Sequence, residues 1–349
     1  MKTQDKAIAD VKQCMRKIAQ HDFADSRVGK VLDDAIDTDG KMIRARLLLL
    51  CSEFGAKCGE KKDKLNMLAA MVELTHLASL IHDDIIDESD FRRGKPSIQS
   101  KYSKDAAVYA GDFLMARINY YEAAEKLNES SKLLSCAIES MCEGEIGQAL
   151  CRYKEDTSIA QYLDNIKGKT AALFKTACLI GASEAGASKK NAQTLADVGE
   201  CLGYMFQLRD DLLDFTADKY HLGKEAHKDF SEGIYTMPVL AALKNDAQGK
   251  LRSMMQKNAK TSLSEKEISS AEELVATLGG VEYTKAAIKD YSQKIHQLLD
   301  TLPNADAKDL LKQLVKNLEE KGEEETIHFR GNVETVKRLR RLQRFCLRC

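Results

Sequence analysis

Residues 82–87 read HDDIID, and residues 209–214 read RDDLLD. Each segment contains the pattern Asp-Asp-apolar-apolar-Asp, and on a helix the first and fifth positions of this pattern lie on one face. The two apolar residues between them are expected to pack against the core. Two such helices that face each other predict an all-α fold in which carboxylates from distant parts of the chain form one acidic site.

This acidic site requires a positive partner. Carboxylates that are held close together repel each other and raise one another's pKa. The candidate ligands are all oxygen atoms, which favours Mg²⁺, or Mn²⁺, over zinc, and Mg²⁺ usually binds together with a phosphate. One isolated motif of this kind is more often a solvated helix face, but two copies in apolar surroundings favour a metal site.

Composition supports long helices. The chain has 349 residues but only 3 prolines and 20 glycines, so few turns are expected. Apolar residues recur at helical spacing up to about Leu318 without a Gly-, Ser- or Pro-rich linker, which predicts one helical domain, residues 1–318. Residues 319–349 are acidic and then basic, and we interpret them as a C-terminal extension. Peripheral contact with an anionic membrane and docking on the protein's own domain both stay open for this extension.

The overall charge excludes one class of partner. A formal net charge of -1 provides no field that attracts nucleic acid. The N-terminal twenty residues lack a long apolar core, and no run reaches the roughly 18 apolar residues that a membrane span needs. The sequence therefore predicts a soluble cytoplasmic protein.

Two groups of basic residues flank the first acidic motif. Arg92 and Arg93 follow it directly, and guanidinium groups bind phosphate oxygens in a bidentate manner. Lys41 and Arg44 lie three residues apart at a predicted helix start, where backbone N–H groups also favour an anion. His76 precedes Asp83 by seven residues and therefore shares its helix face. Lys41 and Arg44 thus predict a site that binds one diphosphate without a metal, and His76 is a candidate phosphate donor.

Two lysines are candidates for the acidic site. Lys169, in Gly168-Lys169-Thr170, begins an apolar helical run, and Lys224 follows the second acidic motif. The Gly-Lys-Thr sequence also ends a nucleotide-binding P-loop, but that motif requires a glycine where this chain has Leu163. A nucleotide-hydrolysing function is therefore rejected.

These motifs, in this order, resemble those of the trans-isoprenyl (polyprenyl) diphosphate synthases from near residue 30 to about residue 318. The matching segments are Gly40-Lys41-x-x-Arg44, residues 76–87, Arg92-Arg93-Gly94-x-Pro96, Ala110-Gly111-Asp112, Gly147-Gln148, Gly168-Lys169-Thr170, Phe206-Gln207-x-x-Asp210-Asp211-x-x-Asp214, and Gly223-Lys224 to Asp229. The resemblance implies an isoprenoid synthase-type helical bundle around a deep central cavity, usually a homodimer, with both aspartate-rich helices at the cavity mouth.

The resemblance also assigns residue roles. It implies that Mg²⁺ is held by Asp83, Asp87 and Asp210, supported by Asp84, Asp211 and Asp214, and binds the diphosphate of an allylic substrate. The residues that complete this diphosphate site are Arg92, Lys169, Gln207 and Lys224. The residues that match the isopentenyl diphosphate site are Lys41, Arg44, His76 and Arg93, with Thr170 as a lesser contact. The residues expected to act in catalysis are Asp83, Asp84, Asp87, Arg92, Lys169, Asp210 and Lys224.

The implied reaction is the head-to-tail condensation of isopentenyl diphosphate with an allylic diphosphate, which yields an all-trans polyprenyl diphosphate and pyrophosphate. Ala78 and Ser79, which match the positions that limit product length, are small, so a medium or long chain is expected. The alternatives are a catalytic subunit of a heteromeric synthase and a short-chain farnesyl or geranylgeranyl diphosphate synthase. Two departures from the family's usual residues are Ala45, often Pro, and Ile234, often Lys, which puts one phosphate contact in doubt.

Overall fold

The computed structural model describes residues 2–20, 23, 25–37, 40–216 and 228–320. Within these residues the chain is almost entirely helical, which confirms the predicted all-α class. The helices are α1 (Lys2–Gln20), α2 (Arg27–Ile36), α3 (Ile43–Ser52), α4 (Lys62–Ile86), α5 (Ile98–Lys101), α6 (Lys104–Ala124), α7 (Asn128–Leu150), α8 (Ile159–Ile166), α9 (Ala172–Glu184), α10 (Lys189–Thr216), α11 (Lys228–Ser231), α12 (Met237–Leu243), α13 (Lys250–Asn258), α14 (Glu265–Thr277), α15 (Gly280–Asp300) and α16 (Asp306–Glu320).

Helix α9 lies at the centre of the bundle and packs against α3, α4, α7 and α10. The buried apolar residues form two clusters, one beneath α1, α4 and α6 and the other beneath α10, α12 and α15. Helices α3 and α9 contribute to both clusters and approach each other closely: a Cβ at Gly181 would lie 2.1 Å from the carbonyl oxygen of Leu48. This central pair therefore connects the two halves of the bundle.

Helix α4 carries the first acidic motif. By length and composition it is the one helix in the described part of the chain that could cross a membrane, but 67% of its most apolar stretch is buried inside the bundle. It serves here as a core helix that ends in polar residues. One expectation about its motif is wrong: Ile86 is 71% exposed, because α4 ends at this residue and only Ile85 packs against the core.

A short hairpin follows α4. Its strands, β1 (Phe91–Arg92) and β2 (Lys95–Pro96), are antiparallel, and Arg92 pairs with Lys95. The two turn residues, Arg93 (φ 52°) and Gly94 (φ 75°), both adopt positive φ values, as a type I′ turn requires. A left-handed conformation is uncommon for a residue other than glycine and often marks a functional position. The hairpin thus places Arg92 and Arg93 next to the end of α4.

Candidate active site

Both acidic motifs lie at the C-terminal ends of helices, on α4 and α10. The C-terminal end of a helix carries partial negative charge, which disfavours carboxylates placed there. Burial and the neighbouring carboxylates of Glu145 and Asp87 raise the pKa of Asp83 to about 6. The carboxylates of the site therefore repel one another, and a bound cation would reduce this repulsion.

The second aspartate of the first motif is turned toward the hairpin. Asp84 is 3% exposed, and its Oδ1 accepts hydrogen bonds from the guanidinium of Arg92, at 2.8 Å from Nε and also from the neighbouring terminal nitrogen. This contact fits the predicted supporting role of Asp84. It also shows that Arg92 is held by the motif itself, at the edge of the acidic site.

The second motif has an equivalent arrangement. The carboxylate of Asp211 is buried and accepts hydrogen bonds from the hydroxyl of Tyr162 and, at 2.9 Å, from Nε2 of Gln207. Burial raises the pKa of Asp211 to about 7 although both of these hydrogen bonds lower it. The hydroxyl of Thr170 donates to Oε1 of Gln207 at 2.7 Å. Gln207 and Thr170, both predicted substrate contacts, thus form a chain of hydrogen bonds that ends on Asp211.

Lys169 lies between the two motifs. Burial lowers the pKa of its ammonium group, but Glu145, Asp83 and Asp87 raise it, and the net effect is a raised pKa and a charged lysine. Its Nζ contacts Oε2 of Glu145 at 3.1 Å. The same charge lowers the pKa of Asp211, so Lys169 interacts with carboxylates of both α4 and α10.

The backbone at Lys169 forms a π-helical turn, Lys167–Ala171, between α8 and α9. This turn packs against α7 at two glycines: a Cβ at Gly144 would lie 2.3 Å from the backbone nitrogen of Lys169, and one at Gly168 would lie 2.3 Å from the carbonyl oxygen of Ser140. Turns of this type insert one residue into a helix and occur frequently at functional sites. The close contact of the two glycines fixes the turn that presents Lys169.

The predicted metal-independent site is assembled from three elements. The guanidinium of Arg44 lies 4.7 Å from the ring centre of Phe174. The guanidinium of Arg93 lies next to Gly40, so a Cβ atom on Gly40 would be only 2.6 Å from a terminal nitrogen of Arg93. Burial and the charges of Arg44, Arg93 and Arg92 lower the pKa of His76 well below its usual value. His76 is therefore neutral and is surrounded by arginines, as expected for a group that binds a polyanion together with them.

Lys169 interacts electrostatically with predicted residues of both aspartate motifs, and His76 does so with the predicted arginines. The other predicted site residues stay predictions. Lys224 and most of the extension, from residue 321 onward, lie outside the described residues. Lys41 is exposed next to the start of α3. Sequence reasoning missed Tyr162 and Glu145, and it named Asp229 only as the end of a matching segment, without a role. Burial and the charges of Asp214, Asp211 and Asp210 raise the pKa of Asp229, which places it with the second motif.

The carboxylates fit a hard divalent cation that is shared with a substrate. Among the residues that the structure describes, no three acidic, histidine or cysteine side chains are grouped so as to hold a metal ion by themselves. Mg²⁺ in particular is often bound by one or two carboxylates together with substrate phosphates and water. By the resemblance described above, Asp83, Asp87 and Asp210 would be the residues that hold such a cation, and this assignment stays a prediction.

A helical bundle with two aspartate-rich motifs at helix ends, a lysine between them and a separate group of arginines is typical of the isoprenoid diphosphate synthases. The family model for polyprenyl synthetases matches residues 25–274. The chain belongs to this family, and it is a trans-polyprenyltransferase that elongates prenyl chains of the medium- or long-chain type.

Individual relatives agree with this assignment. Heptaprenyl diphosphate synthase component 2 from Bacillus subtilis is 35% identical over 283 residues, which cover 80% of this chain and 79% of that protein. The crystal structure of a decaprenyl diphosphate synthase from Rhodobacter capsulatus has a TM-score of 0.85 at 30% identity and covers 91% of this chain and 97% of that one. A polyprenyl synthase from Caulobacter crescentus, complexed with calcium and isoprenyl diphosphate, has a TM-score of 0.83 at 29% identity and covers 92% and 96%.

Proposed function

We propose that this protein is a Mg²⁺-dependent polyprenyl diphosphate synthase that adds isopentenyl diphosphate to an allylic diphosphate. The electrostatic interaction of Lys169 with carboxylates of both aspartate motifs, together with the separate group of arginines around His76, carries the proposal. Two anion sites of different character suit two diphosphate substrates, one bound through a cation and one bound directly. The structure from Caulobacter crescentus is that of a polyprenyl synthase complexed with calcium and isoprenyl diphosphate, which supports the binding of a divalent cation and a prenyl diphosphate.

The charged side chains have distinct tasks in this reaction. Lys169 and Arg92 stabilise the negative charge that develops on the leaving diphosphate, so the allylic carbon–oxygen bond ionises. When bound, Mg²⁺ adds Lewis-acid stabilisation to the same oxygens. Arg44, Arg93 and His76 hold isopentenyl diphosphate so that its double bond attacks the allylic cation. The released pyrophosphate takes the proton whose loss restores a double bond.

The direct test is elongation by the purified chain. The protein is incubated with isopentenyl diphosphate and, separately, with geranyl, farnesyl and geranylgeranyl diphosphate, in the presence of Mg²⁺ or of EDTA. The proposal expects a product of defined length that forms with Mg²⁺ and not with EDTA. Equal product with EDTA would contradict the metal requirement, and absence of elongation with every primer would show that the chain alone is not the complete enzyme.

The proposal includes assembly as a homodimer, which rests on exposed apolar residues. Tyr109 and Tyr120 on α6, and Ile146 and Leu150 on α7, are between 61% and 72% exposed. Helices α6 and α7 pack against each other, so these residues lie on neighbouring elements. Exposed apolar groups of this size commonly mark protein–protein interfaces.

Replacing Ile146 with Glu is expected to convert the dimer into a monomer, because a carboxylate would be buried without a partner in an apolar interface. Light scattering coupled to size exclusion measures the mass. Tyr283→Glu, at a position that is 44% exposed on α15, is the control and should leave the mass unchanged. A dimer that persists in Ile146→Glu would exclude this face as the interface.

A second candidate function is that of a catalytic subunit with a different partner. The relative from Bacillus subtilis is named component 2 of its synthase, which favours this alternative. A wild-type chain that is monomeric and inactive in the elongation test, and that becomes active on addition of a partner chain, would establish it.

Replacing Tyr162 with Phe is expected to weaken the apparent affinity for Mg²⁺ by about tenfold, because loss of a group that orients a metal-site carboxylate typically has an effect of this size. The hydroxyl of Tyr162 is one of the two groups that hold Asp211. The rate of elongation as a function of Mg²⁺ concentration measures the change. Tyr235→Phe removes another buried hydroxyl, which bonds to the carbonyl oxygen of Met255, and its Mg²⁺ dependence should match the wild type. A Mg²⁺ dependence of Tyr162→Phe that matches that of Tyr235→Phe would contradict the role of Tyr162.

A further inference from the structure

Glu73 is a buried acidic residue outside the motifs that define the two diphosphate sites. It lies on α4, one turn before His76, and is 7% exposed. Its Oε1 accepts a hydrogen bond from the backbone nitrogen of Ala45 at 2.9 Å. The backbone N–H of Arg44 also bonds to this carboxylate. A side chain from α4 thus binds the first turn of α3.

The first turn of α3 needs such a partner. The residue before the helix, Met42, has a left-handed conformation (φ 49°) and forms no side-chain cap. The first N–H groups of a helix lack partners within the helix, and an anion placed beside them is favourable. Left-handed backbone is unfavourable at a residue other than glycine, so it persists only where surrounding contacts hold it. Glu73 supplies this contact.

The same carboxylate interacts electrostatically with the side chain of Arg44. That guanidinium is buried, at 9% exposure, and its Nε has no hydrogen-bond partner among the described residues. Burial lowers the pKa of Arg44 to about 10, the charge of Glu73 raises it, and Arg93 lowers it further. Glu73 therefore offsets part of the repulsion between two arginines that share one site.

We propose that Glu73 is a positioning residue for the metal-independent diphosphate site. It fixes the start of α3 and the guanidinium of Arg44 before isopentenyl diphosphate binds. The inference rests on the proposed function, because that function assigns this site to isopentenyl diphosphate. Glu73 itself does not contact the substrate, since its carboxylate is already bound to the backbone of α3.

The inference predicts a selective defect. Glu73→Gln retains an oxygen that accepts a backbone N–H but removes the negative charge, so the arginines repel and α3 is held less firmly. We expect the KM for isopentenyl diphosphate to rise about tenfold, because hydrogen bonds to a neutral amide oxygen are weaker than those to a carboxylate and the charge of Arg44 is no longer offset. The KM for the allylic substrate and kcat should change by less than about twofold, because that substrate binds at the other site.

A second substitution tests the same contact from the other side. Ala45→Pro removes the N–H that Glu73 binds, and proline is tolerated in the first turn of a helix. Alone it should raise the KM for isopentenyl diphosphate, and combined with Glu73→Gln its effect should be smaller than alone, because both changes weaken the contact between residue 73 and the start of α3. Glu122→Gln is the matched control, since Glu122 is 8% exposed on α6 and the change also removes a buried charge.

The deciding experiment is a calorimetric titration of the full chain with isopentenyl diphosphate in EDTA, together with steady-state rates. A dissociation constant about tenfold weaker in Glu73→Gln and unchanged in Glu122→Gln supports the inference. An unchanged constant in Glu73→Gln and Ala45→Pro overturns it, and so does an equal rise of both KM values. A wild-type chain that binds isopentenyl diphosphate but does not elongate would refute the proposed function alone. A wild-type chain that does not bind it refutes both.

Discussion

Replacing Asp83 with Asn is expected to reduce the elongation rate by about a thousandfold, comparable to the removal of a preorganised electrostatic contact to a developing charge. The change preserves the size of the side chain and removes one negative charge at the end of α4. We expect the melting temperature without metal to remain the same or to rise. The reason is that burial already disfavours the charged form of this residue, as its raised pKa of about 6 indicates.

The combination of lost activity and retained stability is the informative result. Asp90→Asn serves as the control, because this exposed residue lies shortly after the end of α4 and outside the motif. Its elongation rate should match the wild type. An Asp83→Asn protein that keeps more than about a tenth of the wild-type rate would show that Asp83 does not hold the cation, since metal ligands contribute far more than this.

Replacing Ser79 with Phe is expected to shorten the product. Ser79 lies one turn before Asp83 on the same face of α4 and is partly buried, and its hydroxyl donates to the carbonyl oxygen of His76 at 2.9 Å. A ring at this position would occupy space next to the point where the prenyl chain is extended. Chromatography of the dephosphorylated products measures their length.

Ala78→Phe is expected to shorten the product as well, but with a loss of stability. Ala78 is 1% exposed and belongs to the core cluster beneath α1, α4 and α6, where an inserted ring costs about 1–3 kcal/mol. Thermal unfolding of the two variants separates the effects. Products of wild-type length from both proteins would show that the cavity floor is formed elsewhere. One candidate is the region near Met71, which precedes Ala78 on α4 and lies further from the acidic motif.

The residues that could be predicted from the sequence are those whose roles follow from local spacing. Asp83 and Asp87 share a face because of helical geometry alone, and Arg92 and Arg93 lie near them because they follow the motif directly in the sequence. Which aspartate of an adjacent pair turns away depends instead on its partner. For Asp211 that partner is Tyr162, which is 49 residues distant and has no motif around it.

Glu73 was not predicted from the sequence, because its partner is also distant along the chain. Its partner, the backbone N–H of Ala45, is 28 residues away and exists in every sequence except one with proline at that position. The exposure of Ile86 also required the structure, because the pattern of apolar residues indicates a helix face but does not specify where the helix ends. Long-range contacts and helix ends are thus the features that the sequence pattern left open.

The carboxylates at the ends of α4 and α10 also connect the lifetime of the protein to its metabolic supply. A ligand that binds only the native state stabilises it by about 2.7 kcal/mol when present at a hundred times its dissociation constant. Copies without metal and substrate retain the full repulsion between these groups and open more readily to proteases. We therefore expect the cellular abundance of the enzyme to rise and fall with the pool of isoprenoid precursors.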